Sequence, residues 1–220
     1  MPGSKLIDLS HTVEHGTITY KGLPAPLICD FLSREASKKK YNDETTFHIG
    51  KIEMVANTGT YVDAPFHRYE HGKDLSELPL ESLVDMEGLV FHAKPGQRAI
   101  GPELFGKAEV RGKAVLVHTG WAQHWGKDQY FEGHPHLTEA AAIWLKDRGA
   151  AFVGIDSLNI DGTETGYRPV HTLLLGADIP VGEHFCNLER LPDSGFRFHA
   201  APVKVKGFGT FPVRAYAVVG

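Results

Sequence analysis

Residues Lys5 to Leu9 alternate apolar and polar side chains and read as an opening strand, with Ser10 and His11 beginning its exit turn. The same two-residue period returns from Ile49: Ile52, Met54 and Ala56 oppose Lys51 and Glu53, and the chain then enters the glycine turn Asn57-Thr58-Gly59-Thr60. In between, Ser33 to Thr46 is polar, carries Lys38-Lys39-Lys40 and follows neither period, so a solvated loop or lid is expected there. Glu87 to Ala93 and Lys113 to Thr119 are apolar stretches bounded by Gly and Pro, as in interior strands. Pro102 to Phe105 leaves room for a short helix only. Thr138 to Lys146 predicts a longer one, with Thr138 as cap, Glu139 at the positive end, Ala141, Trp144 and Leu145 on one face, and Gly149 as the stop. Ala151 to Asp156 reads as a strand, and strand, helix, strand in succession usually makes a parallel pair. A short apolar turn at His171 to Leu175, stopped by Gly176, precedes a strand at Ile179 to Glu183.

Toward the end, Phe196, Phe198 and Ala200, then Val203 and Val205, then Val213, Ala215 and Ala217 alternate with polar neighbours. This predicts two long strands in an antiparallel hairpin joined at Gly207 to Gly209. No repeat or linker divides the chain. The pattern predicts a mixed α/β single domain over residues 1–220, with several strands and few helices.

Composition agrees with that picture: 220 residues suit one domain, and 42% hydrophobic with 23% charged residues is a globular balance. The formal net charge of −4 is scattered, which argues against nucleic acid as a partner. No apolar run is long enough to span a membrane, and Met1-Pro2-Gly3-Ser4-Lys5 is not followed by an apolar signal segment, so a soluble cytoplasmic protein is expected. Cys29 and Cys186 fit no metal or redox spacing and read as small buried apolar residues. The 13 histidines are the unusual count, because imidazole is the commonest metal ligand and titrates near neutrality.

Common catalytic templates are missing, including the G-x-S-x-G elbow, H-E-x-x-H and the P-loop. His134-Pro135-His136 reads as an exposed turn, and His118 and His124 beside Trp121 and Trp125 read as aromatic packing or a pocket wall. Asp63 and His67 are four apart with Pro65 between them. If Pro65 starts a helical turn the two can face one space; alternatively Asp63 only caps the turn. His171 and Glu183 form a second pair, the carboxylate ending an apolar strand where open α/β sheets bind ligands, although plain solvation explains it as well.

The segment Asn57 to His67 (NTGTYVDAPFH) resembles the H-x-G-T-H-x-D-x-P-x-H motif of the putative cyclase family, the kynurenine formamidase-like and isatin hydrolase-like enzymes. The likeness continues through Ile7 to His11, Thr119-Gly120-Trp121, Gly154 to Ser157, His171 to Leu174 with Glu183, Asn187-Leu188 and Pro212 to Ala215. It implies a swivelling β/β/α fold, a homodimer or homotetramer, and metal-dependent hydrolysis of an amide, lactam or similar bond in a small molecule. Carried over by position, Asp63, His171 and Glu183 are metal ligands and His67 is the acid/base residue.

Two motif histidines are replaced, by Asn57 and Tyr61. In two-metal members one ion depends on both, so at most one divalent ion is expected here. The surviving oxygen-rich set favours Mn²⁺ or Mg²⁺ over Zn²⁺ by hardness, although geometry can override this. A kynurenine formamidase proper is disfavoured by the same departures. Two alternatives stand beside the one-ion hydrolase. One is a metal-free acid/base enzyme using Tyr61, Asp63 and His67; the other is a silent ligand-binding or scaffold protein. Asn57, Phe66 and Trp121, with Trp125 and Tyr167, are candidates for the wall of a substrate pocket.

Overall fold

A computed structural model describes residues 3–41 and 44–220. Met1 and Pro2 of the expected N-terminal start, and Asn42 and Asp43 of the expected loop, lie outside the described residues.

The strands in chain order are β1 (Lys5–Asp8), β2 (Leu27–Leu32), β3 (Ile49–Glu53), β4 (Tyr61–Asp63), β5 (Met86–His92), β6 (Ala99–Ile100), β7 (Ala114–His118), β8 (His136–Leu137), β9 (Phe152–Ile155), β10 (Val181–Glu183), β11 (Phe196–His199), β12 (Thr210–Pro212) and β13 (Tyr216–Val219). The α-helices are α1 (Arg34–Lys38), α2 (Glu139–Asp147) and α3 (Pro169–Leu175). Nine strands form one mixed sheet in the order β1-β13-β11-β5-β7-β9-β10-β4-β12. Its centre, β5-β7-β9-β10, is parallel, and both flanks are antiparallel. The expected parallel pair around α2 is β7 and β9.

Successive residues of a strand face opposite sides of a sheet. Val115, Val117, Val153, Ile155 and Val181 therefore pack on α2 and α3, while Leu116, Phe152 and the rings of Phe185 and Phe198 fill the other side. Gly154 and Gly182 are paired in register on β9 and β10, and a Cβ on either would stand within 2.6 Å of the Phe185 ring. Glycine at both positions lets that ring seat on the sheet, which anchors the chain just beyond Glu183. α2 has the predicted cap, Thr138 accepting from the Ala141 amide, and Gly149 follows its end in the left-handed conformation at φ +76°.

Several expectations are corrected. The two expected C-terminal strands do pair antiparallel, as β11 and β13, but they are shorter than expected and are not joined by a tight turn at Gly207 to Gly209: β12, between them, pairs with β4 at the far side of the sheet. Pro202 lacks the amide hydrogen a ladder needs, and the chain from residues 200 to 209 crosses the sheet as irregular structure. The polar segment from Ser33 contains α1, capped by the Ser33 hydroxyl. Ahead of it runs β2, which forms a separate antiparallel ribbon with β3. Cys29 is exposed on that ribbon and Cys186 is half-buried, because neither faces the core. His134 is buried, donating from Nε2 to the Asp161 carbonyl, because the β6/β8 pair draws residues 134–137 beneath the loop that carries Asp161. Among the described residues, no helix is long and apolar enough to cross a membrane.

Candidate active site

β10 pairs with β4 so that Val181 lies opposite Asp63 and Glu183 opposite Tyr61. Glu183 and Tyr61 thereby reach one cavity from adjacent strands, with Asp63 buried beside them. After β4, Pro65 opens a single 3₁₀ turn, Pro65–His67, which carries His67 to the cavity mouth. No side chain caps this turn, so Asp63 is not its cap. Asp63 Oδ1 instead accepts from the Thr210 hydroxyl, and Thr210 Oγ1 lies 2.8 Å from His67 Nδ1. Because the hydroxyl proton is committed to Asp63, Thr210 Oγ1 accepts from His67 Nδ1–H, which leaves His67 Nε2 as the free base. Gly209 permits this approach: a Cβ there would stand 2.4 Å from the His67 amide nitrogen.

His171 sits at the third position of α3. Asp161, which sequence reasoning missed, accepts from the Val170 amide at 2.8 Å and the His171 amide at 3.0 Å, and so caps a helix that starts at proline. The same carboxylate takes His171 Nδ1–H at 2.7 Å. The ring's Nε2 is then turned toward Asp63 Oδ2 and Glu183 Oε1, each 3.6 Å away.

Asp63 Oδ2 is buried without a hydrogen-bond partner. Leaving such an oxygen unpaired is costly. Separations of 3.6 Å are long for hydrogen bonds but close to the spacing of ligands sharing an ion at ~2.1 Å, which stand ~3.0–3.4 Å apart. Asp63, His67 and His171 offer ligand atoms within 4.8 Å of one another. Three buried carboxylates, Asp63, Asp161 and Glu183, surround one buried imidazole. Asp63, His67 and His171 fit a divalent cation, and Glu183 Oε1 faces the same nitrogen of His171.

The electrostatics agree. Burial pushes Glu183 up to about 7, against the opposing charge of His171 and with the repulsion of Asp63. Burial lowers His171, but its bond to Asp161 and the nearby carboxylates of Asp63 and Glu183 outweigh that and hold it at about 10. Burial also works to raise Asp63, yet His67, His171 and Thr210 bring it below the usual carboxylate range. Burial and the neighbouring carboxylates hold the Tyr61 phenol well above its ordinary value.

The cavity measures about 630 Å³, the scale of a small-molecule site. Asn57, Tyr61, His67, His171 and Glu183 line it, with Tyr20, Leu23 and Tyr167 as apolar wall and Lys21, Arg68 and Arg168 as cations. Of the other wall candidates, Phe66 lines an adjoining groove with residues 207–210. Trp121 and Trp125 are not in the cavity lining: Trp121 donates to the Tyr130 carbonyl at 3.0 Å, and Trp125 stacks on His11 at 4.1 Å. Asp161, Thr210, Tyr130 and His184 carried no signal in the sequence pattern; only the nearness of Asp161 to His171 and of His184 to Glu183 pointed toward the site.

A family model described as putative cyclase matches residues 7–162, well over half of the chain. A kynurenine formamidase of Salinibacter ruber is 27% identical over 211 residues, covering 96% of this chain and 95% of its own. A structure described as a potential metal-dependent hydrolase with cyclase activity superposes with a TM-score of 0.80 at 25% identity, covering 99% of both chains. An isatin hydrolase bound to the product analogue thioisatinate shares the fold, with a TM-score of 0.82 at 21% identity over 98% of this chain and 92% of its own. From the first strand to the loop that carries Asp161, and in the fold of the whole, the chain belongs to the putative cyclase family.

Proposed function

We propose that this protein is a hydrolase that cleaves an amide, lactam or similar carbon–nitrogen bond, other than a peptide bond, in a small substrate. It holds one divalent cation through Asp63, His171 and Glu183. The observation that carries this reading is the unpartnered, buried Asp63 Oδ2 beside His171 Nε2.

Asp63, His171 and Glu183 would hold the cation, which would supply polarisation of a substrate carbonyl and a lowered pKa, toward ~7, for a bound water. Asp161 keeps His171 in the tautomer that presents Nε2, and Glu183 Oε1 is held by the Ile160 amide at 2.6 Å. His67 Nε2 takes a proton from the attacking water and returns it to the leaving nitrogen, while Thr210 keeps the ring's orientation. Lys21, Arg68 and Arg168 favour a substrate or product with negative charge, and Tyr20 and Tyr167 suit a planar one. The ligand set, two carboxylates and one imidazole, suits manganese, zinc or magnesium.

The metal-free acid/base reading has less support. The Tyr61 proton is committed to Glu183 at 2.6 Å, and the phenol is held well above its ordinary pKa, so it is a poor proton donor or base near neutrality.

The active form is a homodimer or homotetramer joined through the β2/β3 ribbon. Two strands alone are marginal in water. This ribbon and the adjoining loop leave Leu27, Ile28, Phe31, Phe47, Ile49 and Ile52 exposed, Phe31 at 73%. Asp30, Lys51 and Glu53 put both signs of charge on the ribbon, so a second copy turned by a two-fold axis can set unlike charges together.

The test is hydrolysis of a panel of formanilides, lactams and aryl amides by chelator-treated protein. Activity restored by Mn²⁺ supports the reading. Turnover that is indifferent to chelator contradicts it.

A further inference from the structure

Behind the candidate ligands lies a buried row of hydrogen bonds. Tyr130 Oη is 2.8 Å from His184 Nδ1, His184 Nε2 is 3.3 Å from Tyr61 Oη, and Tyr61 Oη is 2.6 Å from Glu183 Oε2. Tyr61, Tyr130, Glu183 and His184 are each no more than 1% exposed. With Glu183 ionised and His184 neutral, one assignment of protons satisfies all of them. Tyr61 donates to the carboxylate and so accepts from His184 Nε2–H. His184 is then the neutral imidazole whose Nδ1 accepts from Tyr130. The row runs in one direction and ends on Glu183, and donors in such a chain strengthen one another.

His184 is built to hold this pose. It is a non-glycine residue with φ +57°, its amide donates to the Ser157 carbonyl at 3.2 Å, and its carbonyl accepts from Thr60 Oγ1 at 2.6 Å. The left-handed backbone thus holds a fully buried side chain beside a candidate ligand. Trp121 braces the far end by donating to the Tyr130 carbonyl.

Resting on the one-ion reading above, we propose that His184 is a positioning residue. With Tyr130 behind it, it pins the Tyr61 hydroxyl on Glu183 Oε2, so that Glu183 offers the site a single oxygen, Oε1, in a fixed direction. Oε1 is the oxygen that faces His171 Nε2 at 3.6 Å. Without the imidazole, the Tyr61 hydroxyl loses its donor and its hold on Glu183 Oε2 loosens, while the Ile160 amide still holds Oε1.

The test uses full-length, metal-stripped protein titrated with Mn²⁺, and separately with Co²⁺ to read the visible absorption bands that report coordination number. Two variants are compared with the wild type: His184→Asn, since asparagine tolerates the left-handed backbone, and Tyr130→Phe, which removes one hydroxyl only. The expectation is Mn²⁺ binding weakened about 10- to 100-fold in His184→Asn, as for outer-shell partners in general. Tyr130→Phe should be weakened in the same direction by less, and the Co²⁺ bands should change in both. Wild-type affinity and an unchanged Co²⁺ spectrum in both variants overturn the inference while leaving the one-ion site standing. Weakened binding with an unchanged Co²⁺ spectrum also overturns it, in favour of packing alone. A wild-type chain that binds neither ion overturns the site reading and this inference together.

Discussion

Asp161 Oδ2 lies 2.7 Å from His171 Nδ1, and the opposite nitrogen of that ring is thereby aimed between Asp63 and Glu183. One carboxylate does this while also capping α3 through the Val170 and His171 amides, so the helix start and the ring orientation are set together.

Asp161→Asn preserves the shape and removes the charge. The amide can present its NH₂ to His171 and favour the wrong tautomer. Metal affinity is expected to fall about 10- to 100-fold. Calorimetric titration of the metal-stripped variant checks this, and an affinity equal to wild type would show that Asp161 serves the helix alone.

His67→Gln should lower kcat by about 10²- to 10⁴-fold, the usual contribution of a positioned acid/base group. KM and metal content should stay close to wild type, because His67 is bonded to Thr210 at the mouth and is not needed to hold the ion. Loss of bound metal in this variant would make His67 a ligand, in line with its place within 4.8 Å of Asp63 and His171.

Stability of the metal-free chain should fall as pH rises from about 6.5 to 10. His171 is raised from 6.5 to about 10 in the fold, so its protonated form is favoured there. Its contribution is complete below 6.5 and is lost as pH rises through 10. Glu183, raised from 4.5 to about 7, has the same sign over a lower window. Cys186, pushed up to about 12 by burial, adds to the trend only above pH 9. Bound metal holds His171 deprotonated and removes its part of the slope. Melting temperatures measured across this range with and without Mn²⁺ check the claim; parallel curves would contradict it.

Phe31→Glu with Ile52→Glu should convert the oligomer to a monomer, since both side chains are exposed on the ribbon at 73% and 49%. Analytical ultracentrifugation reads this directly. A wild-type protein that is already monomeric at micromolar concentration removes the ribbon as an interface.

Much of the site was legible in the chain because Asp63 and His67 share a short motif and His171 and Glu183 follow in the expected order. Their partners were not. Asp161, Thr210, Tyr130 and His184 act across 10 to 147 residues of chain, and no periodicity marks a residue whose role is to hold another. The central strands β7 and β9 were readable because burial on both faces makes them continuously apolar. The β2 strand was not, since it stands off the core and only Leu32 at its end is buried, too little to set a pattern. The antiparallel pairing of β11 with β13 was legible, but the extension of the first strand came from Val203 and Val205 alternating with exposed lysines, a period that Pro202 and the crossing to β4 override.

Crystals of the full chain grown with Mn²⁺ and measured at the manganese edge test the central claim most directly. One anomalous peak per chain is predicted, within coordination distance of Asp63 Oδ2, His171 Nε2 and Glu183 Oε1. Two peaks in the cavity, or none among these three atoms, would contradict the account.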